Sequence, residues 1–288
     1  MFAIIGIAMV LGAIAGGYSM EHGNFAVLFQ PAELVIIFGA SLGSMTIACP
    51  KDVLIGTLSS VTKILGGTLS SKVFYTDMLM MLSMLFMKIR REGLVTIEKD
   101  IEQPEQSNIF SGFLSNKAHH YLVVFICDTM RIFSTINIEA HEFENIMDAD
   151  IEVFATEKGH AYHQITRQAD ALPGLGIVAA VLGVVLTMGK ISEPPEVLGH
   201  SIGSALVGTF LGILMSYGFV GPIAQNLEYR AKEAEEAMFV VKTALLAFVG
   251  GNPPQVALEA GRRAIPTHYR PTFQELEEAI KASKAKTA

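Results

Sequence analysis

Apolar residues run without a charge through four stretches, residues 2–20, 34–49, 172–189 and 201–224. Each approaches the ~20 residues that a bilayer-crossing helix needs, the second being the shortest. They predict four membrane helices. The first lacks the basic start of a signal peptide, although Ala13-Ile14-Ala15 resembles a cleavage site. It is therefore read as a retained span.

Two further apolar stretches behave differently. Residues 78–87, MLMMLSMLFM, are too short to cross a bilayer, and residues 121–133 enclose Asp128 and Arg131. Each such charge costs about 2.5–3.5 kcal/mol at mid-membrane. Both stretches are expected as buried or amphipathic helices of a soluble domain, with the methionines as core packing. Residues 138–170 carry helix formers up to the third span and are expected to continue into it. The acidic face of IEAHEFENIMDADIEVF reads as a solvated helix surface. Gly250-Gly251-Asn252-Pro253-Pro254 should end a long helix and leave short ones after it.

Lys and Arg set the orientation. The link between the first two spans has none, and the link between the last two has only Lys190. Lys51, Lys63, Lys158, Arg167, Arg230 and Lys232 lie near the opposite span ends. The positive-inside rule places both short loops outside and both termini in the cytoplasm. The expected organisation is all-α. It comprises spans one and two (1–50), a cytoplasmic helical domain (51–170), spans three and four (171–226) and a cytoplasmic tail (227–288). The localisation that follows is that of a multi-pass membrane protein.

Composition agrees with a membrane protein. Of 288 residues, 51% are hydrophobic and only 17% charged, where soluble domains carry about 25%. A net charge of −7 gives no reason to expect nucleic-acid binding. Cys49 and Cys127 form no C-x-x-C pair, and the histidines show no metal-ligand spacing. No metal, no cofactor and no catalytic residue is expected.

The spans are rich in small residues. Gly12/Gly16, Gly39/Gly43 and Gly208/Gly212 let helix backbones approach closely in lipid. This serves packing within one subunit and assembly between subunits. What the spans lack is equally informative. A proton path usually uses Asp, Glu or His, and spans one, three and four have none between their ends. Glu33 sits at the outer edge of span two, and His200 at the outer start of span four. If the chain conducts protons, a partner must supply the carrier. The polar groups available are Thr187, Thr209, Ser216 and Tyr217. Thr209 and Ser216, seven residues apart, share nearly one helix face. Such hydroxyls either bond their own helix carbonyls or face a pore. Pro173 and Pro222 both fall near the cytoplasmic surface. Pro173 either begins a helix or, with Pro222 removing a backbone hydrogen bond, forms a hinge.

These features together resemble the A subunit of the flagellar motor stator, the MotA family. The resemblance rests on FQPAELVIIFGASLGS (29–44), DALPGLGIVAAVLGVV (170–185), LVGTFLGILMSYGF (206–219) with the following Pro222, and RPTFQELEE (270–278). It implies a homopentamer around a dimer of the B subunit, MotB, whose membrane aspartate takes up the proton. It links Pro173 and Pro222 to the coupling of ion flow to movement. It assigns Arg90 and Glu98, in KIRREGLVTIEKDIE (88–102), to contact with the rotor protein FliG. Without it, those charges would read as a solvated turn. The same resemblance places Asp170 at the mouth of the path and Ala180, Thr209 and Tyr217 along its lining. Sodium-type relatives have a threonine where this chain has Ala180, so the transported ion is expected to be H+. A rotor-free energiser of the ExbB/TolQ kind is the alternative function.

Overall fold

The computed structural model describes residues 2–64, 70–136 and 138–287. Among them there is no β-strand. In chain order the helices are α1 (Phe2–Met20), α2 (Phe25–Leu28), α3 (Pro31–Ala48), α4 (Lys51–Lys63) and α5 (Lys72–Glu92). After them come α6 (Glu98–Glu102), α7 (Ser111–Leu114), α8 (His120–Thr135) and α9 (Ala140–Met188). The rest are α10 (Pro195–Ile213), a π-helical segment (Leu214–Val220), α11 (Gly221–Val249), α12 (Pro254–Ala264) and α13 (Phe273–Thr287).

Four helices are long and apolar enough to cross a membrane: Phe2–Met20, Phe25–Ala48, Ala140–Met188 and Pro195–Val249. The expected spans lie within them. The third span is the C-terminal part of a continuous 49-residue helix. The Gly-Gly-Asn-Pro-Pro stretch breaks the chain as expected. Gly251 adopts φ +88, a conformation open to glycine, and Pro254 starts α12.

The helices gather into two compact units. The first holds Met1–Gly67 and Glu157–Tyr229, the second Thr68–Thr156 and Arg230–Ala288. These limits differ from the expected segments 1–50, 51–170, 171–226 and 227–288. Residues 157–170 group with the spans because Ile165 joins Ile64, Ala224 and Leu227 in a small cluster. Residues 230–287 group with the second unit. Val240, Val241 and Leu245 of α11 are fully buried in the core of the second unit, with Leu258 and Leu276 beside them.

In the first unit very little is buried. No residue of α1 is buried. On α3 only Glu33, Ile37, Ser41 and Met45 are, a stripe of every fourth residue on one helix face. The second unit has a dense core. Phe86 stacks on Phe248 with ring centroids 4.3 Å apart. Met78, Met81, Leu82 and Leu85 of α5 are buried, so the methionine run is core. On α8, Asp128 and Arg131 pair at 2.7 Å on the exposed side, the amphipathic arrangement expected of a soluble helix. Cys127 faces inward, and burial pushes its thiol up to about 12. It is a packing residue.

Candidate functional site

The first unit is built around a seam between α9 and α10. Gly176 and Gly212 bring the two backbones together. A methyl group placed on Gly176 would stand 2.7 Å from the Gly208 carbonyl oxygen and 2.9 Å from Gly212 Cα. One on Gly212 would stand 2.6 Å from the Leu172 carbonyl oxygen. Farther along, one on Gly183 would stand 2.7 Å from Ala205 Cβ. No side chain fits at these positions, so the approach depends on glycine. The pairs Gly12/Gly16 and Gly39/Gly43, in contrast, have nothing within 4 Å. The small-residue pairs therefore divide. Gly208/Gly212 is used inside the chain, while the other two stay open on its surface.

Ala180 lies in the seam. It is 8% exposed, and its backbone nitrogen would stand 3.1 Å from a methyl on Gly208. Thr187 donates its hydroxyl to the Gly183 carbonyl at 2.8 Å, the own-helix bond anticipated for such residues. Thr209 is half-buried, Ser216 buried and Tyr217 exposed. The π-helical segment lies between Thr209 and Pro222 and changes the helix register there. Within it Ser216 is 2% exposed and Tyr217 74% exposed.

Pro173 lies inside α9, so it does not begin a helix. It is half-buried, and Asp170, one turn earlier, is exposed. Pro222 is exposed and follows the π-helical segment directly. The Gly221 backbone N–H reaches back to the Ser216 carbonyl, a five-residue span. The helix absorbs the missing proline donor through this wider turn and continues as α11 without a break. Both prolines belong to the first unit.

Arg90 and Glu98 lie in the second unit. Arg90 is in the last turn of α5, Glu98 opens α6, and both are exposed. The turn between them is fixed by Gly93 at φ +91, whose N–H caps α5 through the Ile89 carbonyl. Below the turn, Lys88 Nζ bonds Asp100 Oδ2 at 2.7 Å, and Ser107 Oγ donates to Asp100 Oδ1 at 2.6 Å. Ile97 is fully buried in the core of this unit. Opposed charges are thus held on an exposed, braced turn, an arrangement suited to orienting a partner.

Three features were not anticipated from the sequence. Ser41 Oγ donates to Gln168 Oε1 at 2.8 Å, with both side chains buried, tying α3 to α9. Lys242, 6% exposed, holds Glu144 at 3.0 Å and Asp148 at 2.6 Å. Part of the acidic face of α9 is therefore a docking site for a buried lysine. The signal was a lone lysine within AMFVVKTALLAF (237–248). Glu33 is the third, 8% exposed rather than lying open at a span edge. No group of three His, Cys, Asp or Glu suited to a metal ion occurs among the described residues.

An all-α membrane protein with four spans, a glycine seam and a charged helical unit is the class these observations define. Residues 4–93 match the Motility protein A N-terminal family, and residues 107–239 the MotA/TolQ/ExbB proton channel family. Motility protein A of Escherichia coli strain K12 is 38% identical over 284 residues, spanning 99% of this chain and 96% of that protein. Chemotaxis protein LafT of Vibrio parahaemolyticus is 33% identical, spanning 96% and 97%. Among solved structures, Campylobacter jejuni MotAB superposes with a TM-score of 0.76 at 17% identity, covering 92% of this chain and 95% of that one. The flagellar MotAB stator complex of Bacillus subtilis gives 0.72 at 22% identity, covering 96% and 98%. The chain belongs to the motility protein A family.

Proposed function

We propose that this chain is the A subunit of a flagellar motor stator, converting proton flow across the inner membrane into torque on the rotor. The observation that carries the reading is the end-to-end match to motility protein A, over the spans and the charged unit alike. The spans cross with both termini in the cytoplasm. The chain assembles as a pentamer around a dimer of the B subunit, MotB. The open glycine pairs on α1 and α3 supply surfaces for such assembly. The B subunit brings the mid-membrane carboxylate. Protonation of that group alters its packing against the α9–α10 side of the ring, and the ring steps. Each charge delivers about 2.3 kcal/mol per 100 mV. Arg90 and Glu98 pass the motion to FliG through transient charged contact. Pro173 and Pro222 act in the coupling, and Ala180, Thr209 and Tyr217 lie along the path with Asp170 at its mouth. With Ala180 in place of a threonine oxygen, the ion is H+.

The test is complementation of a motile strain lacking its own A subunit. The wild-type gene should restore swimming. Pro173→Leu should abolish rotation while stators still assemble. Arg90→Glu should reduce swimming severalfold and regain part of it with a reversed charge on the rotor protein. Normal swimming by both variants removes these assignments. Restored outer-membrane uptake without restored swimming favours the ExbB/TolQ-like energiser instead.

A further inference from the structure

The carboxyl of Glu33 is an anomaly in the first unit. It lies in the first turn of α3 at the end of the spans that carries residues 21–30 and 189–194. Gln30 beside it bonds Ser204 Oγ at 3.0 Å, which ties α3 to α10 at this end. Glu33 is 8% exposed, and its Oε2 has no hydrogen-bond partner. The carboxyl enters a notch left open by glycine. A methyl on Gly208 would stand 2.5 Å from Oε2, and one on Gly183 3.4 Å from Oε1. Ala205 and Ala179, both buried, add further apolar wall near these glycines.

Among the described residues, no counter-charge enters the notch. The charged and titratable groups at this end are Lys190, Glu193, Glu196 and His200 on α9, α10 and their link, with Glu21 and His22 before α2, all exposed, and the half-buried Tyr18, whose hydroxyl is given to the Asn24 carbonyl at 3.3 Å. Lys190 Nζ is directed to Ser201 Oγ at 3.5 Å. The nearby hydroxyl of Thr187 is given to the Gly183 carbonyl. An ionised carboxylate with one oxygen kept dry and unpaired carries a desolvation penalty. A metal cation would require several oxygen ligands, and the notch walls are glycine and alanine. The ion this geometry accommodates is the proton.

We infer that Glu33 is a proton-binding group of this chain, set in the glycine notch between α3, α9 and α10. It gives the chain an ionisable site of its own at the loop end of the spans, separate from any carboxylate a partner supplies. This rests on the reading of the chain as a proton-conducting subunit. It takes up one proton where α2 and α3 meet and releases it within the first unit. Gly208 and Gly183 are required because any side chain there would displace the carboxyl.

The experiment uses membranes containing the full chain with its B-type partner, treated with dicyclohexylcarbodiimide. A protonated carboxyl in an apolar setting adds across the carbodiimide C=N bond and rearranges to a stable acylurea, with no group lost. Peptide mass spectrometry should find the adduct on Glu33 at pH 6, diminishing severalfold by pH 9. Gly208→Ala, which retains the acid but crowds the notch, should reduce the adduct severalfold. Proton flux through the same complexes should fall about tenfold in Glu33→Gln and lose its dependence on the pH of the loop side, while Glu33→Asp retains part of both. An absent or pH-independent adduct on the wild-type chain overturns the inference. So does an unchanged flux profile in Glu33→Gln. A wild-type complex that passes no protons refutes the stator reading instead, and the adduct still decides whether Glu33 binds a proton.

Discussion

The two units solve the packing problem by opposite means. The second buries large side chains, with Tyr75, Phe86, Phe110, Phe125 and Phe143 almost fully enclosed. The first encloses few large side chains and brings backbones together through Gly176, Gly183, Gly208 and Gly212. In water, removing apolar area drives folding at roughly 25 cal/mol per Å². Between helices in lipid that drive is absent, and close contact of small residues takes its place. The difference teaches where each unit is vulnerable. The second is damaged by removing atoms, the first by adding them.

The largest expected effect comes from adding atoms to the seam. Gly212→Val places a Cβ 2.6 Å from the Leu172 carbonyl oxygen and 2.8 Å from Gly176 Cα, both backbone atoms of α9 that cannot rotate away. The α9–α10 contact should open, at about 3 kcal/mol or more, and the chain should be lost from membranes. Gly12→Val on the open face should leave the amount of chain unchanged and act only on assembly. Immunoblots of membrane fractions, with native gels for the oligomer, separate the two. Equal loss in both variants would remove the distinction between a filled and an open seam.

A second effect concerns the buried lysine of the second unit. Glu144 and Asp148 are roughly half exposed, while the Lys242 side chain is 8% exposed. The asymmetry decides which partner is costly to remove. Neutralising both carboxylates, Glu144→Gln with Asp148→Asn, strands a buried ammonium and should cost about 3 kcal/mol. Lys242→Met keeps the packing and returns the carboxylates to water, so it should cost under about 1 kcal/mol. Thermal unfolding of the detergent-solubilised chain reads both. A larger loss in Lys242→Met would show that the carboxylates, not the lysine, depend on the pair.

The third effect is smaller and local to the charged turn. Gly93→Ala forces a side chain into φ +91, ψ 165, a conformation essentially confined to glycine, with open space around it, so the penalty is conformational and about 2 kcal/mol. The fold should survive while the spacing of Arg90 and Glu98 changes. Swimming speed should fall by more than the melting temperature suggests. Equal effects of Gly93→Ala and a surface change such as Val95→Ala would remove the bracing role of the turn.

The unequal packing also explains how much the sequence disclosed. Spans were legible because a bilayer demands long uncharged runs, and α1 ends where its apolar run ends. The charged turn was legible as a solvated turn from its run of charges alone. The continuation of residues 138–170 into the third span was legible because no turn residue interrupts it. The seam geometry was not. Six glycines at helical spacing look alike in a sequence, yet only Gly208 and Gly212 of those pairs meet another backbone. Glu33 looked like an edge residue because its depth depends on which helices cover it, and that is a tertiary property. The π-helical turn was hidden too, since Pro222 signals a defect and not the wider turn that absorbs it. The unit limits differed because α11 leaves the spans and becomes core of the second unit, a long-range contact invisible to local pattern.

The smallest effect separates two acid pairs of the second unit. Glu259 accepts from Arg262 at 2.7 Å and from Arg263 at 2.8 Å, with its own side chain 25% exposed. The Arg262 hydrogen bond, with the weaker help of Arg263, holds its carboxyl down to about 2. Glu275, bonded by Lys72, is likewise held at about 2, but both partners are 47% exposed, and solvent screens such a pair. A carboxyl held below its ordinary 4.5 binds fewer protons when folded than when unfolded. Its stabilisation is complete above 4.5 and is lost as pH falls towards about 2. Glu259→Gln should therefore destabilise the chain by about 1 kcal/mol at pH 7, and the gap to wild type should narrow below pH 4.5. Glu275→Gln should leave the melting temperature within error throughout that range. Unfolding curves of the three chains at pH 7, 5, 4 and 3 provide the check. A gap for Glu259→Gln that stays constant down to pH 3 would show that shape, and not charge, holds α12 in place.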